Sequence, residues 1–472
     1  MTPAPARPRQ PDLTPAWADT SREQPADFQR RIVALLCFAV FFSVLNGTMF
    51  NVAVPDIAAD FRLSPTAASW VVSGFVLVFA LGSVTYGKLA DLYPVRSLIS
   101  IGLLLFNCGS LLGFLSESYA GLLFARLVQA AGASAIPALA MYTATRFVPP
   151  AVRGRTLGAV SSTVAFATGV GPLIGGSIAG ALHWRYLFLL SLATLAAIPL
   201  FRRVLPKEPP RPGGFDLPGG LLLGAWVCAL LLYVTQDRPL ALLLALLALA
   251  ALIWRLRLAA QPFVAPELFR DRRYCGALLT AFLALGAVFG MMFHIPLLLR
   301  DLHGLGTIGI GWVIFPGAMS AALLGMVAGG LADRWGSVVV VQIGLQLLVG
   351  GFLLLSCAAA APPAVLALVL IGVYAGFAGI HASLAKTVSL LLPPHHSGVG
   401  LGVYNLSFFL AGAFGAAFTS RLLEAWAAAP ALNPLGQGAA ASSNIFLLSA
   451  LTAVIAALLF HLLVGAGGKD AG

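Results

Sequence analysis

Three groups of side chains in this 472-residue chain carry charge or protons where an apolar setting makes charge costly. The first is a pair of aspartates in a repeated turn, Asp91 in GKLADLYPVRS (Gly87 to Ser97) and Asp333 in GGLADRWGS (Gly329 to Ser337). In the first turn Gly87 permits close helix approach, Asp91 can meet the N-terminus of another helix, and Lys88 and Arg96 flank it. Arg334 stands beside Asp333 in the copy. A carboxylate beside a helix dipole and an arginine makes a latch that holds one conformation closed. The second is Arg126, in ARLVQ with Gln129 three residues on. A guanidinium inside a span costs several kcal/mol unless it is paired or faces water, so it marks function by default. The plainer alternative is snorkelling to the nearer interface, roughly 10 Å away at the helical rise. The third is two histidines, His294 and His381, each alone in an apolar run. Such a residue titrates near neutral pH if it faces a wet cavity, and otherwise serves as an interhelical hydrogen-bond partner.

The missing groups narrow the chemistry as much as the present ones. All 17 Asp and Glu residues fall in tails, loops or span ends, with Asp56 the nearest to an apolar interior. The five cysteines (Cys37, Cys108, Cys228, Cys275 and Cys357) sit in apolar runs without metal spacing and read as small buried hydrophobes. No cluster of His, Asp, Glu or Ser lies at one depth and no P-loop occurs. An enzyme and an ATP-driven pump are therefore disfavoured, and no cofactor or metal is expected.

The elements that must hold these residues are membrane helices. The chain is 59% hydrophobic and only 10% charged, a balance that excludes a water-soluble domain. With a window of roughly 20 apolar residues, fourteen spans are read from near Arg31 to near Val464. Without strand alternation they are helices. Of the 28 Lys and Arg residues, five (Arg62, Arg185, Arg238, Arg300 and Arg421) fall on one side and Arg126 inside a span, leaving 22 on the side of both termini. That asymmetry predicts a multi-pass protein of the cell membrane with cytoplasmic termini. The net charge of +11 is then topological, meeting anionic lipid and no nucleic acid.

The expected organisation is a disordered tail over 1–30, a six-helix bundle over 31–203, a linker with two inserted helices over 204–258, a second six-helix bundle over 259–465 and a short tail over 466–472. The first span runs from about Ile32 to Val54, ending at Pro55-Asp56. The fifth contains GVGPLIGG, in which Gly171, Pro172, Gly175 and Gly176 favour close packing and a bend. The inserted pair, about Leu217 to Val234 and Leu240 to Trp254, reads as lipid-facing and peripheral. Asp91 and Asp333 lie 242 residues apart, which fits six helices plus an inserted pair. A 6+2+6 plan with internal repetition is that of secondary transporters.

GKLAD with downstream Arg96, and GGLADRWG, resemble the loop signature of the major facilitator superfamily, although Pro94 stands where that signature has glycine. GPxxGG resembles the antiporter motif of its exporters, with Ala167 replacing the leading glycine. Arg126, Gln129 and Gly132 resemble its fourth-helix motif, with Ala130 for a glycine. Nearly end to end, the chain is similar to the fourteen-helix drug-proton antiporters and most of all to the tetracycline exporter branch. SVLNGTMFNVAVPDIAADF, GGFDLPGG, IFPGAMS and VYNLSFF carry the likeness. The resemblance implies a monomeric all-α major facilitator fold, alternating access and drug efflux coupled to protons, with Arg126 linked to coupling. That branch also uses carboxylates in helices 1, 5 and 13, where this chain has Gly47, Thr168 and Gly412. Their absence favours a non-cationic small-molecule cargo and argues against tetracycline-metal chelates.

The expected substrate pocket is lined by Asn46, Asn51, Trp70, Arg126, Gln129, Tyr142, His294 and Asn405. Arg126, His294 and His381 are the candidate proton carriers. An uncoupled facilitator of the same fold is the alternative, and a membrane-embedded enzyme the remote one.

Overall fold

The computed structural model describes residues 26–465, apart from 64, 212, 237, 394, 395 and 427, and their regular structure is all helical, without a strand. Fourteen helices are long and apolar enough to cross a membrane. The first six are α1 (Ala26–Asp60), α2 (Pro65–Leu92), α3 (Val95–Phe114), α4 (Tyr119–Phe147), α5 (Pro150–Ala181) and α6 (Trp184–Val204). The inserted pair is α7 (Leu217–Gln236) and α8 (Pro239–Leu258). The last six are α9 (Arg272–His303), α10 (Thr307–Arg334), α11 (Ser337–Cys357), α12 (Pro363–Leu391), α13 (Ser397–Ala425) and α14 (Ala440–Gly465). The two aspartate turns, α2 to α3 and α10 to α11, therefore lie on one face, called here the hairpin face.

Several boundaries differ from expectation. Residues 26–30 begin α1 instead of belonging to a tail, while 1–25 and 466–472 lie outside the described residues. Helix α1 runs through Pro55-Asp56 to Asp60, where Asp60 meets His183 (3.2 Å) and accepts the Trp184 indole N–H (2.7 Å). The backbone of the two aspartate turns also differs: Gly336 sits at φ 88°, whereas Pro94, with its ring fixing φ near −57°, opens α3 from an ordinary conformation.

Apolar residues on all sides of most helices leave specificity to small residues and polar bonds. Helices α2 and α13 pack across the two groups of six, as do α5 and α10. The linker before α7 is tied down by polar contacts. Glu208 accepts two hydrogen bonds from Arg146 (2.6 and 2.9 Å), and the Arg211 amide donates to the Leu92 carbonyl (2.8 Å). Buried Asp216 caps α7 through the Gly219 amide (3.2 Å) and pairs with Arg255 at the end of α8 (2.9 Å).

Helix α7 corrects a sequence expectation. It contacts both α2 and α13, and Cys228, Leu231, Leu232 and Val234 face a central cavity, so it is not peripheral. Helix α8 packs mainly on α7 and is the most lipid-exposed span. Aliphatic side chains serve a lipid face and a cavity wall alike, so composition does not separate the two.

Candidate functional site

On the hairpin face each aspartate reaches the opposite group of helices. Asp91 accepts the amide N–H groups of Gly398 (2.9 Å) and Val399 (3.0 Å) at the start of α13. Asp333 accepts those of Gly154 (2.7 Å) and Arg155 (2.8 Å) in the second turn of α5. Asp91 thus satisfies orphan donors at the positive end of the α13 dipole, while Asp333 bonds amides one turn further in, near the same end of α5. The close approach depends on glycine: a side chain on Gly87 would strike the Gly398 carbonyl, and one on Gly329 would strike that of Gly154. The basic flanks behave otherwise. Lys88 donates to the Pro262 carbonyl (3.4 Å), Arg334 is exposed, and neither Arg96 nor Arg334 is paired with a latch aspartate among the described residues. The cation at Asp333 is Lys386 of α12, 2.7 Å away and nearly buried. Sequence reasoning counted that lysine with the basic loops, so Arg126 is not the only buried cation in a span.

A valine at Gly329 is expected to wedge α10 off α5. Overpacking of about 1–3 kcal/mol should lower transport ~10-fold or more without preventing membrane insertion, as measured by transport per inserted molecule.

Between the groups lies a cavity of about 1260 Å³. Trp70, Arg238, Arg421 and Glu424 line it at helix ends opposite the hairpins. With the hairpin face held together by the Asp91 and Asp333 contacts, the cavity opens toward the other face. Its depth is aromatic, with Phe75, Phe79, Phe289, Phe377, Phe408 and Phe409, and is dotted with amides and hydroxyls. Gly47, Thr168 and Gly412 all face it, and among the described residues charge occurs only at the rim, in Arg238, Arg421 and Glu424. His381 lines its inner end, lies tilted against Phe408 (4.5 Å between centroids) and bonds Ser161 of α5 (2.9 Å), joining the two groups.

Of the eight residues expected in the pocket, Asn51, Trp70 and Asn405 line this cavity. Asn405 is buried and its Nδ2 has no hydrogen-bond partner, leaving a donor free for a cargo acceptor. Asn46, Arg126 and Gln129 lie behind the wall. The Arg126 guanidinium is sandwiched between Phe50 and Phe75, 4.1 Å from each ring centroid, and Phe75 screens it from the cavity. Its Nη1 donates to Asn46 Oδ1 (2.8 Å) and Gln129 Oε1 (2.6 Å), its Nε to the Val71 carbonyl (3.2 Å). Gln129 continues the chain to Ser110 (2.7 Å). Arg126 is fully buried, which excludes snorkelling here. Tyr142 is buried elsewhere, its hydroxyl accepting from Arg211 of the linker (3.3 Å), and His294 lines a separate, smaller cavity.

In the GPxxGG segment, Gly171 and Gly175 pack against Thr48 and Met49 of α1, and Gly176 lies near Val52. Pro172 lies within α5, which remains helical across the segment.

The family profile of the Major Facilitator Superfamily matches residues 36–416. The chain is 26% identical over 403 residues to the riboflavin transporter RibZ of Clostridioides difficile (strain 630), covering 83% of this chain and 88% of that protein. It is 28% identical over 406 residues to multidrug resistance protein Stp of Mycobacterium tuberculosis (strain CDC 1551 / Oshkosh), covering 83% and 75%. Among solved structures, the human organic anion transporter MFSD10 (TETRAN) superposes with a TM-score of 0.66 at 17% identity, covering 92% of this chain and 99% of the other. The proton:xylose symporter XylE gives 0.64 at 17% identity, covering 93% and 96%. At that identity both likenesses concern the fold.

Proposed function

Because the chain belongs to the Major Facilitator Superfamily and is a membrane transporter, not an enzyme, we propose that it exports a largely apolar, non-cationic small molecule by alternating access, driven by proton influx. The observation that carries this reading is the uncharged depth of the central cavity, with Gly47, Thr168 and Gly412 on its wall and aromatic rings around them. A cation transferred there would lose hydration without meeting a carboxylate, whereas a flat neutral ring system stacks on phenyl groups and takes hydrogen bonds from Asn405 and Asn51. Affiliation with the fourteen-helix antiporters, close to the tetracycline exporter branch, belongs to the same reading, with metal-chelated tetracycline disfavoured as cargo. The bundles 31–203 and 259–465 move as the two halves around a monomer's central site, with both termini cytoplasmic in the cell membrane. His381, between cavity and Ser161, is the candidate proton carrier nearest the cargo.

The same uncharged depth supports a second reading, an uncoupled facilitator. Riboflavin, planar and uncharged, is a suitable first cargo, since one relative is a transporter of it. In proteoliposomes the exporter reading expects uphill riboflavin movement when a pH gradient is imposed. Equilibration alone, unaffected by the gradient, overturns it in favour of the facilitator, and drug-susceptibility profiling of a pump-deficient host tests the charge preference. Resistance confined to cationic drugs would overturn that preference.

A further inference from the structure

A second cavity, of about 480 Å³, lies between α9, α13 and the start of α14, at the face opposite the hairpins. His294, Leu297, Leu298 and Asp301 form one stripe of α9, at helical spacing i, i+3, i+4 and i+7, and look toward Glu424 of α13 and Ser442 of α14. Asp301 and Glu424 are exposed and form the mouth. His294 is only 2% exposed and lies nine residues from the end of α9, roughly 13 Å down at the helical rise. Neither of its ring nitrogens has a hydrogen-bond partner. Phe446 covers the ring, 5.3 Å between centroids.

A buried imidazole with two orphan nitrogens carries a desolvation cost that a phenyl ring in the same place would avoid. A cavity of this size has room for several waters between the imidazole and the carboxylates at its mouth. We propose that this cavity is a proton-loading site, separate from the cargo cavity, with His294 as acceptor and Asp301 and Glu424 as the collecting rim. The inference rests on the proton-coupled reading above. In the loading step an O–H bond of hydronium breaks, an N–H bond forms at a free nitrogen of His294, and water remains.

The two carboxylates at the mouth each stand beside an arginine, so the charges of the rim are paired in number. On α9, Asp301 has Arg300 and His303 beside it. On α13, Glu424 has Arg421 one turn away, where it lines the cargo cavity. Ser442 is the polar contribution of α14, whose His461 lies at the hairpin-face end. Neither α10 nor α12 carries a charged residue at this depth, since Asp333, Arg334 and Lys386 lie at their hairpin-face ends and His381 further toward that face. Glu424 borders both cavities, so a charge placed on His294 is felt at the mouth of the cargo path.

Proton counting tests the site without any cargo. Full-length protein in detergent, titrated between about pH 8 and pH 3 against an indicator dye, is expected to take up about one proton fewer per chain after His294→Gln. His294→Phe, which fits beside Phe446, repeats the count should the first variant misfold. Uptake equal to wild type in a folded variant overturns the site. In proteoliposomes with riboflavin as probe, His294→Gln should retain exchange without a gradient and lose uphill movement, and uphill movement at the wild-type level overturns the inference. Asp301→Asn with Glu424→Gln should slow proton-driven movement ~10-fold at low salt by removing the collecting charge, and an unchanged rate overturns the rim's role. If wild type itself never moves riboflavin uphill, the coupled reading fails, and the proton count alone still decides whether His294 is the acceptor.

Discussion

Replacing Asp333 by alanine is expected to destabilise the protein by about 3–5 kcal/mol, because it leaves the nearly buried ammonium of Lys386 without its carboxylate and breaks the bonds from two α5 amides that tie α10 to α5. The equivalent Asp91→Ala should cost less, on the order of 1–3 kcal/mol, since Asp91 holds two amides of α13 and no bonded lysine or arginine among the described residues. Adding Lys386→Met to Asp333→Ala should restore more than half of the loss, by removing the stranded charge. Thermal unfolding of the two single variants and the double variant in one detergent gives the comparison. Equal losses at Asp91 and Asp333, or no recovery with Lys386→Met, would remove the ion pair from the account. The functional counterpart is a shift toward opening of the hairpin face, read as increased maleimide labelling of a cysteine placed at Arg155, and the shift should be larger for Asp333→Ala than for Asp91→Ala.

The second large effect concerns Arg126. Arg126→Ala removes a cation held between two phenyl rings and strips hydrogen bonds from Asn46, Gln129 and the Val71 carbonyl at once. Unsatisfied acceptors and a void in a dry interior together are expected to cost about 3 kcal/mol or more and to lower transport ~10-fold. Arg126→Met, which refills the volume between Phe50 and Phe75, should recover much of the stability and none of the transport if the charge itself matters. Arg126→Lys keeps a cation but not the fork that serves Asn46 and Gln129 together, and should fall between. Full transport by Arg126→Ala would eliminate any role for the guanidinium. Stability restored together with transport in Arg126→Met would reduce it to a packing element.

The paired aspartate turns were legible in the sequence because the same short text occurs twice at a distance that six helices and an inserted pair explain. Their bonding partners were only half legible. A helix N-terminus was expected at Asp91, yet the flanking arginines are not its bonded partners and Lys386 is the cation at Asp333. That lysine stands five residues from the end of α12, where the sequence cannot distinguish a buried cation from one that merely obeys the charge asymmetry of membrane loops. The pocket residues were less legible still, for a geometric reason. Asn46 and Asn51 are five residues apart on α1, about 140° around the helix, so one helix face cannot present both to the cavity. Asn51 faces it and Asn46 turns to Arg126. Tyr142 and Gln129 fail by the same ambiguity, since a polar side chain in an apolar run has either a cavity or another polar side chain to meet, and only the packing of neighbouring helices decides.

The placement of α7 bears on how any cargo arrives. Its aliphatic face closes the side of the cavity between α2 and α13, and Arg421 of α13 donates to the Tyr233 carbonyl (3.4 Å) near its end. A molecule dissolved in the bilayer therefore meets a fence instead of a doorway on that flank, and the aqueous mouth is the direct way in or out. In the alternating-access motion proposed above, α7 would glide over at least one of its two neighbours. Smooth leucine and valine surfaces suit a sliding seal in a way that interlocking polar contacts would not.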